Sequence, residues 1–468
     1  MLMRYLSFRG AIVAATVTLS TCCAPAHAVP SFARQTGMAC EACHTAFPEL
    51  TPFGRRFKLN GYVLDNMPQV KAITPDKDEA LLLNWVPPLS VMFQASYTRT
   101  KGAVPDIANE GLSQNGQVLF PQQASLFYAG RIAPKLGGFI QLTYSSDSGN
   151  IALDNTDIRF ADQAFTEPSG GRDRSLIYGI TLNNNPTVQD VWNTTPAWQT
   201  PFDQRTSAAP TPAASAQIDQ SLGQSVAGVT AYGFWMDSIY AELGVYRSAP
   251  QGFTNQQTNA AGPLNSTASN VINGVAPYWR VAYELQWAHQ TLSLGTYGLR
   301  IELFPGNGNI LSGPTDRFTD TALDAQYQFI GDDHIVSAQA TYIHEHQDLS
   351  ASAVLGTAAN PSDSLNTLRI GGSYYYRRRY GAALGYFSTT GTTDMARYTP
   401  SPVVGSASGS PDSRGWTAEL DFLPWQNVKL ALQYTLYNRF NGGTTNYDGS
   451  GRNASDNNTL FLLGWIAF

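Results

Sequence analysis

The chain has 468 residues, a formal net charge of −6, 14% charged residues, 12% aromatic residues and 41 glycines. So low a charge content argues against an ordinary soluble domain of this size, and the mild acidity gives no support to nucleic-acid binding. Beyond the N-terminus, no apolar run reaches the ~18 residues of a membrane-spanning helix.

In chain order, the first element is an export signal. Arg4 and Arg9 supply a positive start, Ala11 to Leu19 an apolar core, and Ala26-His27-Ala28 a small-residue cleavage site. This pattern predicts a signal peptide over 1–28. A lipoprotein cut before Cys22 is the alternative, but Thr21 fits the position before that cysteine poorly.

Cys22 and Cys23 leave with the signal, so the exported chain keeps only Cys40 and Cys43. Cys40-Glu41-Ala42-Cys43-His44 is the C-x-x-C-H pattern of c-type haem attachment. The spacing lets two thiols bond one porphyrin edge and places the imidazole beneath the iron. A redox C-x-x-C or an accidental pair is the alternative.

The next segment suits a small haem-holding module over 29–80. Thr51-Pro52 reads as an N-cap and first helical residue, and Asn60-Gly61 as a stop. Phe53 and Phe57 share a face, which could lie on the haem. Arg55, Arg56 and Lys58 could meet the propionates, or could form a solvated basic face. For a sixth iron ligand, Met67 is the best local candidate, 23 residues after His44. Met38 is too close to the attachment site to fold over the opposite haem face. A distant His or an open position remain alternatives to Met67.

From about Leu89 the sequence changes character, and 81–468 reads as a transmembrane β-barrel. Trp279, Val281, Tyr283, Leu285 and Trp287 alternate with Arg280, Ala282, Glu284 and Gln286. In a strand these sets face opposite sides. One side is apolar with an aromatic at each end, as a lipid-facing strand requires. Sixteen such segments start near residues 89, 121, 137, 151, 174, 224, 237, 277, 290, 318, 333, 365, 379, 414, 427 and 458. Short and long gaps take turns between them, except near 146–149 and 163–173, where the order is weak. An even strand number puts both termini in the periplasm.

The long gaps, such as Asn183–Asn185, Asn193–Pro196 and Pro210–Ser215, read as solvated surface loops. The inward-facing charges are mixed: Arg131, Arg159, Arg280, Arg369 and Lys429 against Glu242, Glu284, Asp324, Glu419 and Asp421. Such a lumen suits a water-filled or a plugged pore. His344 and His346 share one side of a strand, with Asp348 beyond, and could chelate a surface metal. Their parity with Val336 and Tyr342 also fits two histidines merely emerging on the outer face.

The stretch Pro30-Ser31-Phe32-Ala33-Arg34-Gln35-Thr36-Gly37-Met38, the haem motif, and Phe47-Pro48-Glu49-Leu50-Thr51-Pro52-Phe53-Gly54 resemble the N-terminus of the fused outer-membrane cytochrome–porins of iron-oxidising bacteria. The resemblance is specific over about 30–62 and architectural over the barrel. It implies a mainly β fold, a 16-stranded antiparallel porin-like barrel behind a small monohaem cytochrome module. It also implies one covalent c-type haem on Cys40, Cys43 and His44, taking electrons from extracellular Fe(II) and passing them to a periplasmic cytochrome or another soluble acceptor. No iron-binding motif comes with it. A conduit for another donor or acceptor, and a transport porin gated by a haem plug, stay open.

Overall fold

Alternation along each strand decides the architecture, because a strand that is apolar on one side and polar on the other needs two different surroundings. The computed structural model describes residues 30–64, 67–72, 81–106, 111–112, 115–146, 149–165, 175–195, 209–249, 271–305 and 312–468. The expected export signal and Cys22 lie outside them. Sixteen antiparallel strands close into a barrel. They are β1 (Leu89–Thr100), β2 (Gln117–Ala133), β3 (Leu136–Ser145), β4 (Asn150–Ala164), β5 (Leu176–Asn183), β6 (Val226–Trp235), β7 (Ile239–Ser248) and β8 (Ala276–Trp287). There follow β9 (Gln290–Leu303), β10 (Asp316–Ile330), β11 (His334–Asp348), β12 (Ser362–Tyr376), β13 (Tyr380–Gly391), β14 (Ser413–Trp425), β15 (Val428–Arg439) and β16 (Thr459–Ala467). Every strand begins within four residues of its expected start.

Each strand pairs with its sequence neighbours, and β16 closes on β1 with Thr459 opposite Thr100 and Ala467 opposite Met92. Closure leaves no unpaired edge, which is the condition for a sheet to cross lipid. Phe468 and Val91 exchange backbone hydrogen bonds of 2.9 and 2.8 Å at the same rim. On β8, Tyr278, Arg280, Ala282 and Glu284 are buried, while Val281, Tyr283, Leu285 and Trp287 are exposed on the outer wall. Outward Leu243, Leu323, Leu384 and Leu420 continue that apolar band round the barrel.

One rim carries the tight hairpins between β6 and β7, β8 and β9, β10 and β11, β12 and β13, and β14 and β15. The other rim carries the long connections. The expected weak point is real: the β3–β4 link at the long-loop rim is the short one.

The lumen is plugged. Helices α1 (Pro30–Thr36), α2 (Cys40–Cys43) and α3 (Pro52–Leu59) enter from the hairpin rim. Of the connection between β5 and β6, residues 184–195 and 216–222 fold inward above them. Several of the mixed inward charges are therefore paired with one another. Arg280 meets Asp324 and lies 3.5 Å from Asp190. Lys429 meets Glu419 at 2.9 Å and Asp421 at 3.4 Å. Arg159 meets Asp157 at 3.0 Å.

The reading of Asn183–Asn185 as a solvated surface loop is corrected. These residues are 2–5% exposed. Their side chains satisfy protein groups instead of water. Asn184 Nδ2 donates to the Asp154 carbonyl at 2.6 Å, and Asn185 Nδ2 donates to Asn155 Oδ1 at 3.2 Å. Turn-forming residues can serve a buried loop when they supply their own partners.

Candidate functional site

The one-turn helix α2 sets Cys40 and Cys43 three residues apart, which places both thiols on one face. Neither is in a disulfide. Burial and the neighbouring Cys40 push the Cys43 thiol up to about 11, so it stays a neutral S–H. His44 follows as the C-cap of α2. Its Nδ1 lies 3.3 Å from the Glu49 carbonyl, which fixes the ring and leaves Nε2 to the cleft. Burial lowers this imidazole to about 4 despite two backbone contacts that favour its charge, so it too is neutral.

Helix α3 is packed on the motif by the residues that start it. Thr51 Oγ1 accepts from Gly54 N at 3.1 Å, as an N-cap should, and donates to the Ala42 carbonyl at 2.7 Å. Thr51 N donates to the Cys43 carbonyl at 2.9 Å. Pro52 takes the first helical position and Asn60 the C-cap, both as expected. Gly54 is needed for close approach: a Cβ there would stand 2.2 Å from Cys43 O.

The cleft in front of these groups encloses about 1060 Å³ of free space, its open mouth included. Its walls are mainly apolar: Phe32, Ala33, Phe47, Phe53, Phe57 and Tyr62 among them. Phe32 stacks on Tyr62 at 5.5 Å and meets Phe57 edge-on at 5.1 Å. Cys40, Cys43 and His44 all face this space. Thus the three residues singled out from the sequence are brought together, and Phe53 and Phe57 join them.

The barrel holds the cleft in place. Ser31 Oγ donates to the Ala129 carbonyl at 2.9 Å, and Tyr62 OH donates to Asp157 at 2.6 Å. Gly137 of β3 allows backbone contact with the plug, since a Cβ there would stand 2.0 Å from Gly61 O. The basic residues of α3 form no solvated face, which corrects that alternative. Arg55 pairs with Glu284 at 2.9 Å, and Arg56 pairs with Asp237 in the β6–β7 hairpin. Neither lines the cleft. Lys58 does line it and donates to the Val188 carbonyl. Burial lowers its ammonium to about 8.

The structure does not bring Met67 to the cleft. Its side chain is 5% exposed and its sulfur accepts from Leu64 N at 3.3 Å, while Met38 is on the lining. A four-residue 3₁₀ turn (Pro186–Gln189) and the residues after it supply the far wall through Thr187, Val188, Asp190, Val191 and Asn193. Sequence reasoning missed this wall, because the loop's Asn, Thr and Pro content reads as solvated. Trp192, 1% exposed, was the available signal. His344 and His346 point outward, with His344 Nδ1 2.8 Å from Asn366 Oδ1. Among the described residues no three His, Cys, Asp or Glu side chains converge as a metal site.

A pair of thiols, that of Cys43 neutral, and a neutral, oriented imidazole at the edge of an aromatic cleft suit a flat, apolar cofactor with a metal centre. No family model matches the sequence, and no curated protein does. Among solved structures, the chain is similar to the outer membrane channel DcaP of Acinetobacter baumannii, with 11% identity over 81% of this chain and 96% of that one, at a TM-score of 0.43. It is similar to OmpT of Vibrio cholerae in its trimer form, with 9% identity, 81% and 98% coverage and a TM-score of 0.43. It is also similar to the anion-selective porin from Comamonas acidovorans, with 12% identity, 81% and 98% coverage and a TM-score of 0.41.

Proposed function

We propose that this chain is an outer-membrane barrel whose plug carries one covalent c-type haem and relays electrons from an extracellular donor to a periplasmic partner. The observation that carries the reading is the cleft in which Cys40, Cys43 and His44 converge. A bound haem would supply one-electron chemistry at its iron. Cys40 and Cys43 would anchor it by thioethers, which remove one buried and one half-buried thiol without creating charge. His44 would be the proximal ligand, aimed by its contact with the Glu49 carbonyl. Lys58 is the lining ammonium able to face a haem carboxylate.

Fe(II) is the donor that the N-terminal resemblance implies. Anaerobic titration of the purified haem protein with Fe(II), followed by absorbance, tests this reading. Stoichiometric haem reduction is expected. A haem that stays oxidised removes Fe(II) as donor, and a protein isolated without covalent haem removes the conduit.

A transport porin with a gating plug is the second reading. It is favoured by a cavity of about 1690 Å³ of free space between plug and wall. Solute flux in liposomes that follows the haem redox state would support it, and a flux indifferent to that state would not.

A further inference from the structure

Toward the long-loop rim an apolar layer joins the inward β5–β6 connection to the wall. Ile218 and Leu222 of that connection cluster there with Leu299, Phe318, Ile343 and Leu365. Two carboxyls are set within the layer. Asp320 of β10 and Glu345 of β11 are directly opposite in the strand register, and they are 2% and 0% exposed. Their other cross-strand neighbours are Leu299 and Leu365. Along their own strands the inward neighbours are Phe318 and Ala322 for the first, Ile343 and Gln347 for the second. The outward residues at this height are Thr319, Thr321, His344 and His346, so the pair stands above the apolar outer band.

Two carboxylates facing each other in an apolar layer cannot both ionise, because each raises the cost of the other's charge. The cations nearby are committed elsewhere. Arg369 of β12 is held by Asp219 in a two-bond pair, and Arg397 of the β13–β14 loop pairs with Asp363 at 3.3 Å. Arg397 reaches Glu345 through Gln347, which accepts from the guanidinium and donates to Glu345 Oε1. The Tyr398 phenol, in the same loop, is close enough to Glu345 to feel its charge. The two carboxyls lie within hydrogen-bonding reach of each other, yet Asp320 Oδ1 is buried with no donor among the described residues. One proton shared by the pair removes the repulsion and supplies that hydrogen bond. The other oxygens hold the inward segment. Asp320 Oδ2 accepts from Ile218 N at 2.7 Å, and Glu345 Oε2 accepts from Gln217 N at 2.6 Å.

We propose that Asp320 and Glu345 share one proton and form a latch that seats the segment 216–222 against the wall, and that loss of this proton to solvent frees the segment. The closed latch binds one proton more than the open one, in which each carboxyl is wetted and ionises at its ordinary value of ~4. Its contribution is therefore complete below that value and falls as pH rises, until the closed pair itself gives up the proton. Over that window the opening equilibrium grows by about tenfold per pH unit, the effect of one proton. With both carboxylates charged, repulsion acts on the two side chains that hold the Gln217 and Ile218 amides. The inference does not depend on the haem.

The test is amide hydrogen exchange of the segment 216–222 in the full-length folded barrel in detergent. It is read by mass spectrometry between about pH 5 and pH 8 and corrected for the intrinsic pH dependence of exchange. Protection of the segment should fall as pH rises, by up to about tenfold per unit, while protection of β9 to β12 stays level. Asp320→Asn keeps the shape and can donate to Glu345 without a shared proton, so its protection should not follow pH. Glu345→Gln removes the proton from the other side and should behave alike. Protection independent of pH in the parent overturns the latch, and so does a parent-like slope in either variant. If neither variant folds, the slope in the parent decides. The exchange is read with or without haem, so a failure here and a failure of the conduit reading are distinguishable.

Discussion

Arg55 of the plug and Glu284 of the barrel wall form a 2.9 Å ion pair in which the two side chains are 2% and 1% exposed. The pair joins residues that are far apart in sequence and fixes α3 at one height in the lumen. The same carboxylate accepts from Trp192 Nε1 at 2.7 Å, so it also ties down the loop that walls the cleft. Arg55→Met leaves Glu284 charged and short of its cation. Breaking one side of a buried pair costs about 3–5 kcal/mol. The expected outcome is a plug that becomes protease-sensitive at lower urea while the barrel keeps its folded mobility on unheated gels.

Gly54→Ala should act on the proposed haem attachment and leave the barrel alone. The added Cβ meets a backbone carbonyl, Cys43 O, which has no rotamer to yield. Overpacking of this kind costs about 1–3 kcal/mol. It would push α3 off the haem motif, so the measurement is haem covalently bound per folded barrel. A normal ratio would show that α2 and α3 can separate without harm.

His44 gives a pH dependence in protein expressed without haem. Its ordinary value is 6.5 and burial lowers it to about 4. The unfolded plug therefore takes up a proton before the folded one does. The His44 contribution to stability is complete above pH 6.5, falls as pH drops toward 4, and is flat below. Glu49, raised by burial, acts in the opposite sense. The difference between the parent and His44→Phe in pH-dependent plug unfolding isolates the imidazole. A difference that does not change between pH 6.5 and 4 would contradict the assignment.

Met67→Ala separates packing from ligation. The side chain is buried against Leu64 and is not on the cleft lining. Stability should fall by about 2–5 kcal/mol, the usual cost of truncating a buried Met. The visible spectrum and midpoint potential of the haem protein should stay as they were. A shifted spectrum would restore Met67 as the sixth ligand.

Replacing His344 and His346 together by Ala should leave Fe(II) kinetics unchanged. Both side chains stand on the outer wall, away from the plug and the lumen. Slower haem reduction in that variant would bring the pair back as a surface metal site.

Much of the frame was legible in the chain because a barrel strand is a local code. Val281 and Arg280 declare their sides by being next to each other, and each of the sixteen strands repeats the statement. The cap at Thr51, the Pro52 start and the stop at Asn60-Gly61 are equally local. Arg55 and Arg56 were misleading for the same reason. A run of cations on one helix looks solvated until Glu284 and Asp237, far along the chain, are brought to it.

By itself the sequence determined the strand count and approximate starts, the inward and outward faces, and the grouping of Cys40, Cys43 and His44. These follow from spacings of two to four residues, which backbone geometry turns directly into a shared face. Only the tertiary structure decided that the lumen is plugged, that Asn183–Thr195 forms a buried wall, and that Met38 rather than Met67 lines the cleft. It also decided that a cavity remains between the plug and the wall along β11 to β14. Those facts depend on contacts between residues 30 to 130 positions apart and more, and they are set by which charges and apolar surfaces find each other when the barrel closes around the plug.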